Sequence, residues 1–150
     1  QSADEARLAG AGVASVVSGW GAEFDPQILE AFGYDQEMYT NEMWDQFAYP
    51  EKMSFTALPI RGRKYCEALG EGFTDNMICA GGIGGRGPCF GDSGGPLVVA
   101  ADTPNGYLQV GIVSRALTEH AFCGMPGYPG VFTRVSRYND WIGKVISDNK

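Results

Sequence analysis

The chain has 150 residues, of which 44% are hydrophobic and 22 are glycine, and its formal net charge is −7. A chain of this length can bury a core of its own. The negative charge argues against nucleic acid and anionic membranes as partners. There is no apolar run long enough to span a membrane and no start typical of a signal peptide, so we expect a soluble, processed chain.

The first predicted element is a strand. Val13 to Val17 is rich in β-branched residues and ends at the turn Ser18-Gly19-Trp20-Gly21. The next segment, from Ala22 to Lys52, contains eight acidic residues and one basic residue, so it carries the whole net charge. Two short helices are expected inside it, the first over Gln27 to Phe32 and the second beginning at Thr40.

Five further short apolar runs follow, each bounded by Gly, Pro, Asn or Asp. Together with the first strand they predict a small six-stranded antiparallel barrel. The runs are Phe55 to Ile60, Met77 to Ala80, Pro96 to Ala100, Tyr107 to Arg115 and Gly130 to Val135. After them, Ser136 can cap an amphipathic helix with Trp141 and Val145 on its apolar face. The expected fold is therefore all-β with one C-terminal α-helix.

The four cysteines allow three pairings, and none of their spacings gives the C-x-x-C pairs of a zinc site. They are Cys66, Cys79, Cys89 and Cys123. Disulfides are favoured over free thiols, which indicates a secreted or otherwise oxidising setting. We expect no metal and no cofactor.

The segment Cys89-Phe90-Gly91-Asp92-Ser93-Gly94-Gly95-Pro96 places a serine on a glycine-rich turn. A serine is a poor nucleophile unless a base, usually a histidine, activates it, and the chain has one histidine, His120. Gly91-x-Ser93-x-Gly95 also fits the nucleophile elbow of α/β-hydrolases, but Pro96-Leu97-Val98-Val99 favours a strand where that elbow needs a helix. A purely structural glycine turn is the remaining alternative.

The segment resembles the active-serine motif of chymotrypsin-like (trypsin-fold) serine proteases. Four further motifs stand in that family's order: Ser18-Gly19-Trp20-Gly21, Met77-Ile78-Cys79-Ala80-Gly81, Gly111-Ile112-Val113-Ser114 and Pro129-Gly130-Val131-Phe132-Thr133-Arg134-Val135. The resemblance covers about residues 13–21 and 53–147. It implies that 1–150 is the second, Greek-key barrel of the trypsin-like fold, with an acidic insertion at about 22–52.

The resemblance also implies roles for the turn. Ser93 would be the nucleophile, and the N–H groups of Gly91 and Ser93 would form the oxyanion hole. Asp92 would form an ion pair with an activating N-terminus, although it could also serve only to stabilise the turn. His120 would be a solvated loop residue and not the base. The pairs Cys66–Cys79 and Cys89–Cys123 would be disulfides.

A neutral specificity pocket is a further implication. Gly87 stands where trypsin-like enzymes carry an aspartate that binds Lys or Arg, and Pro88, Ala116 and Gly130 complete a pocket without charge. We therefore expect the pocket to accept medium to large apolar side chains. Phe90 is expected to contact the substrate as well.

The segment Ser114-Arg115-Ala116 would pair with an extended substrate backbone. Arg115 replaces the tryptophan usual in the family, and it would either favour acidic or polar substrate residues or fold back on Glu119. The acidic insertion, which also carries aromatic residues, would be either an exosite for basic protein substrates or a self-packed surface loop.

No counterpart of the family's first barrel, with its histidine, its buried aspartate and its activated N-terminus, is present. The resemblance implies that a separate N-terminal chain supplies all three. The expected function is that of a secreted serine endopeptidase chain that cleaves proteins after apolar residues, as chymotrypsin-like or elastase-like enzymes do. The alternative is a non-catalytic binding or regulatory protein on the same fold.

Overall fold

The computed structural model describes residues 7–23, 49–69, 72–117 and 123–149. Six strands lie within two residues of the six predicted runs. They are β1 (Ala14–Gly19), β2 (Ser54–Pro59), β3 (Met77–Gly81), β4 (Pro96–Ala100), β5 (Tyr107–Ala116) and β6 (Pro129–Arg134). The two helices expected in the acidic insertion, and His120, lie outside the described residues.

The strands form one antiparallel sheet in the order β2-β1-β4-β5-β6-β3. β4, β5 and β6 are consecutive neighbours, and β3 lies beside β6, which is a Greek-key arrangement. An isolated antiparallel bridge between Ile60 and Ala80 joins the two edges of the sheet. The predicted six-stranded Greek-key barrel is therefore confirmed.

In β1 and β4 alternate residues are buried, as the two-residue period of a strand requires, whereas β3 buries four consecutive residues. In β1 the buried positions are Ser15 and Val17. Ser15 is the one polar residue among the buried positions of the described part of the chain, and its hydroxyl donates to the Leu58 carbonyl at 2.7 Å. Leu97 and Phe132 are fully buried at the centre of this core.

Two α-helices lie wholly within the described residues after β1. The helix α1 (Arg63–Leu69) was not predicted, because its seven residues bury only Cys66 and show no apolar stripe. The C-terminal helix α2 (Asn139–Asp148) was predicted, but its start was not. Ser136 is not its cap: a 3₁₀ helix over Val135–Tyr138 comes first, and α2 begins after it.

The apolar face of α2 has no cover in the described part of the chain. None of its residues is buried, and Trp141 is 65% and Ile146 54% exposed. Exposed apolar surfaces of this kind are typical of sites that bind other proteins, membranes or ligands. Neither α1 nor α2 is long and apolar enough to cross a membrane.

The core predicts a clear difference between two leucines on neighbouring strands. Leu97→Ala should lower the free energy of unfolding by about 2–5 kcal/mol, because it empties a fully buried site. Leu108→Ala makes the same chemical change at a residue that is 40% exposed and should cost much less. Urea denaturation midpoints measure both, and equal shifts would contradict the assignment of the core.

Candidate active site

Two consecutive turns hold Ser93 at the start of β4. The Asp92 N–H donates to the Cys89 carbonyl at 3.0 Å, and the Gly95 N–H donates to the Asp92 carbonyl at 2.9 Å. The third residues of the two turns are Gly91 and Gly94, with φ of +93° and +83°. A type II turn requires a positive φ at this position, which glycine adopts without strain. The glycines of the motif are thus explained by backbone conformation.

The second turn is fastened to the middle of β5. The Gly94 N–H donates to the Val113 carbonyl at 3.0 Å, and the Val113 N–H donates to the Gly95 carbonyl at 2.9 Å. Ser93 occupies the outer corner between these bonds and is exposed. The barrel therefore presents the serine hydroxyl to solvent from a fixed backbone.

The Asp92 side chain points back toward the end of β1. Its Oδ1 accepts the Gly21 N–H at 2.8 Å, and its Oδ2 accepts the Cys89 N–H at 2.9 Å. A Cβ added to Gly19 or Gly21 would collide with this carboxylate. Hydrogen bonds from backbone N–H groups to a carboxylate are charge-assisted and strong, so Asp92 locks the serine turn to the segment after β1.

The peptide between Phe90 and Gly91 has a fixed orientation. The Phe90 carbonyl accepts the Ala22 N–H at 2.7 Å. In a trans peptide the C=O and N–H groups point in opposite directions, so the Gly91 N–H points away from Ala22. A Cβ on Gly91 would lie 3.1 Å from Cε1 of Tyr49 and 3.2 Å from Cα of Gly21, so the space beside the turn is filled.

The N–H groups of Gly91 and Ser93 are therefore both available. Neither donates to any residue in the described ranges. Two free backbone donors that flank a serine hydroxyl can stabilise a negatively charged oxygen on a carbonyl under attack. The geometry is compatible with the oxyanion-hole role expected of these residues.

One cavity of about 260 Å³ brings the expected binding residues together. Its lining includes Ser93 and every residue expected to contact substrate, namely Gly87, Pro88, Phe90, Ser114, Arg115, Ala116 and Gly130. A Cβ on Gly130 would lie 3.0 Å from Cγ of Pro88, so a side chain there would press on the opposite wall. Phe90 is 51% exposed, as a residue at the rim would be.

Arg115 is tied to its own strand end. Its Nη1 donates to the Ala116 carbonyl at 3.0 Å and to the Leu117 carbonyl at 3.1 Å. Glu119, the other expected partner of this arginine, lies outside the described residues. The structure thus shows contacts of Arg115 with backbone carbonyls, which neither interpretation from sequence included.

Two disulfides pair the cysteines as the resemblance implies. Cys66 of α1 is bonded to Cys79 of β3, and Cys89 is bonded to Cys123. The second bond connects the serine turn to the segment before β6, and both of its cysteines line the cavity. Within the described residues, no group of three or more His, Cys, Asp or Glu side chains is placed to hold a metal ion.

Sequence reasoning missed several residues of this region. Gly19, Gly21 and Ala22, which hold Asp92 and Phe90 in place, were noted only as part of a motif or a loop. The sequence signal for this contact was the glycine on each side of Trp20, because only glycine leaves room there for the Asp92 carboxylate. Arg86, which lines the cavity, was also missed.

A Greek-key barrel with an exposed serine on a double glycine turn, free N–H groups and an adjoining cavity is the arrangement of the second barrel in a chymotrypsin-like protein. Comparisons with known proteins agree. The sequence profile described as Trypsin matches residues 1–142. The chain belongs to the trypsin family.

The chain is similar to several vertebrate proteins of this family. It is 38% identical over 139 residues to a trypsin of Gallus gallus, covering 91% of this chain and 44% of that protein. It is 36% identical over 143 residues to the anionic trypsin of Bos taurus, covering 94% and 46%. Among solved structures, mouse neuropsin, a serine protease, aligns with a TM-score of 0.67 and 31% identity over 91% of this chain and 49% of neuropsin. The chain thus spans about half the length of the relatives it matches.

The Asp92 hydrogen bonds predict a measurable stability difference between two aspartates. Asp92→Ala leaves the Gly21 and Cys89 N–H groups without their acceptor and should lower the free energy of unfolding by about 1–3 kcal/mol. Asp102→Ala removes an exposed carboxylate that has no such bonds and should change it by less than about 0.5 kcal/mol. Urea unfolding compares the two, and similar small losses would show that Asp92 does not anchor the turn.

Proposed function

We propose that this chain is the nucleophile-bearing part of a secreted serine endopeptidase. The observation that carries the proposal is the position of Ser93, whose exposed hydroxyl lies at the edge of the cavity and beside two free N–H groups. Membership of the trypsin family and the likeness to neuropsin, a serine protease, support it. The two disulfides support an extracellular location.

In this proposal Ser93 Oγ attacks the carbonyl carbon of a peptide bond, and the carbonyl oxygen gains negative charge. The N–H groups of Gly91 and Ser93 donate to that oxygen in the tetrahedral intermediate. A base takes the proton from Ser93 and returns it to the leaving amine, which gives an acyl-enzyme that water then hydrolyses.

The base is not expected to come from this chain. His120 is its only histidine, and the resemblance to the family implies that this residue is not the base. We propose that a separate N-terminal chain supplies the histidine and the aspartate.

Asp92 and α2 are the two places where this partner would bind. Beside Asp92 lies a second cavity of about 370 Å³, lined also by Ser18, Gly19 and Gly21. Each Asp92 oxygen accepts one backbone N–H and retains a further lone pair, so an activating α-amino group can bind there. The exposed face of α2 around Trp141 would pack on the partner's barrel.

The cavity walls support cleavage after apolar residues. Gly87 contributes no carboxylate to bind Lys or Arg, and Pro88, Ala116 and Gly130 add only apolar surface.

A peptide library tests the proposed activity. The chain assembled with its partner should cleave peptides after medium to large apolar residues, and Ser93→Ala should abolish cleavage because the nucleophile is gone. Ser147→Ala changes an exposed serine on α2, whose hydroxyl donates to the Lys144 carbonyl, and should leave the rate unchanged. Mass spectrometry of the products gives the cleavage sites.

Two results would count against the proposal. Preferred cleavage after Lys or Arg would refute the apolar pocket. Failure of an organophosphonate to label Ser93 in the assembly would favour a non-catalytic binding protein.

The proposed docking of α2 predicts a loss of affinity. Trp141→Ala should raise the dissociation constant of the partner at least tenfold, because buried tryptophans contribute strongly to interfaces. Tyr107→Ala is a matched control, since Tyr107 is 59% exposed and Trp141 65%. Surface plasmon resonance measures both, and equal affinities for the two variants would place the interface elsewhere.

A further inference from the structure

The substrate cavity carries an unbalanced positive charge. Arg86 and Arg115 line it, and among the described residues no Asp or Glu does. This is unexpected in a chain whose formal net charge is −7. The neutral walls formed by Gly87, Pro88 and Gly130 are therefore only part of what a substrate side chain meets.

The backbone of Arg86 is held rigidly at the cavity. The Gly85 N–H donates to the Gly124 carbonyl at 2.9 Å, and the Arg86 N–H donates to the Ile83 carbonyl at 3.3 Å. A Cβ on Gly124 would lie only 2.8 Å from the Arg86 nitrogen, so the two backbones are in direct contact. The disulfide from Cys123, next to Gly124, fixes this contact to the serine turn.

The side chain of Arg86, in contrast, has no partner among the residues that the structure describes. Its guanidinium makes no hydrogen bond or ion pair with a described residue, and the residue is exposed. Arg115 differs, because two backbone carbonyls hold its guanidinium. Arg86 also lines the neighbouring cavity of Asp92 and Glu23, yet it forms no ion pair with either carboxylate. A guanidinium has five N–H donors and suits a carboxylate, so Arg86 is free to bind an incoming one.

We propose that Arg86 determines the charge preference of the cavity, so that substrate side chains bearing a carboxylate are accepted and those bearing an ammonium or guanidinium are rejected. The inference rests on the proposed peptidase function and adds to it. Apolar residues remain substrates through the neutral walls, while glutamate is preferred over its uncharged isostere glutamine because Arg86 pairs with its carboxylate.

The size of the effect follows from the exposure of Arg86. Ion pairs at exposed sites are weak and correspond to a preference of up to about fivefold. A substrate that fills the cavity displaces water and strengthens the pair. We therefore expect a preference for glutamate over glutamine of about three- to fivefold, which should decrease as added salt shortens the screening length.

Four peptide substrates that differ only in the residue before the scissile bond test the inference. With the assembled protein, kcat/KM is measured for Leu, Gln, Glu and Lys at low and high salt. Arg86→Gln should reduce the ratio of kcat/KM for the Glu peptide to that for the Gln peptide to about one, and it should raise the ratio of Lys to Leu cleavage. Arg86→Lys keeps the charge and should retain most of the Glu preference.

Lys64→Gln is the control for net charge, because it removes one positive charge from α1, whose residues do not line the cavity. The ratio of kcat/KM for the Glu peptide to that for the Gln peptide should be the same in Lys64→Gln as in the unaltered protein. A ratio that is the same in Arg86→Gln and in the unaltered protein, with Leu still cleaved, would overturn the role of Arg86 alone. Absence of cleavage for all four peptides would overturn the proposed peptidase, and this inference with it.

Discussion

The carboxylate of Asp92 is the point on which the rest of the site depends. It accepts N–H groups from Gly21 and Cys89, residues that are 71 and 3 positions away in the chain. These bonds bring the end of β1 against the serine turn, and only then can the Ala22 N–H reach the Phe90 carbonyl. That last bond turns the Gly91 N–H in the opposite direction. One half-buried side chain thus determines where a backbone donor points.

Backbone contacts also set the shape of the cavity beside Ser93. Gly130 leaves room beside Pro88, and Gly124 allows the segment around Arg86 to approach it closely. The disulfide between Cys89 and Cys123 then joins the two walls. Among the described residues that line the cavity, the charged ones are Arg86 and Arg115. Backbone carbonyls hold the guanidinium of Arg115, whereas that of Arg86 has no such bonds.

Sequence was sufficient for features encoded locally or in an ordered set of motifs. Short apolar runs bounded by turn residues located all six strands, and the turn around Ser93 indicated the family. Sequence was insufficient where the cause lies in distant contacts. The helix α1 has no apolar stripe that would predict it. Its single buried residue, Cys66, attaches it to β3 through a disulfide. The need for glycine at Gly19 and Gly21 comes from a carboxylate far along the chain. Arg86 directly precedes Gly87, but the family motif alone does not indicate that it also lines the cavity.

The proposal of a partner chain links two features that are separate in this structure. One is chemical: Ser93 and two N–H donors are in place, but the motif order assigns no base to the chain. The other is physical: α2 leaves Trp141 and Ile146 largely exposed to water. If one partner supplied the base and also covered α2, burial of the helix would provide the free energy that holds the base beside Ser93. Assembly and catalysis would then be coupled, because the partner that supplies the base to Ser93 would also bind the helix that follows the barrel.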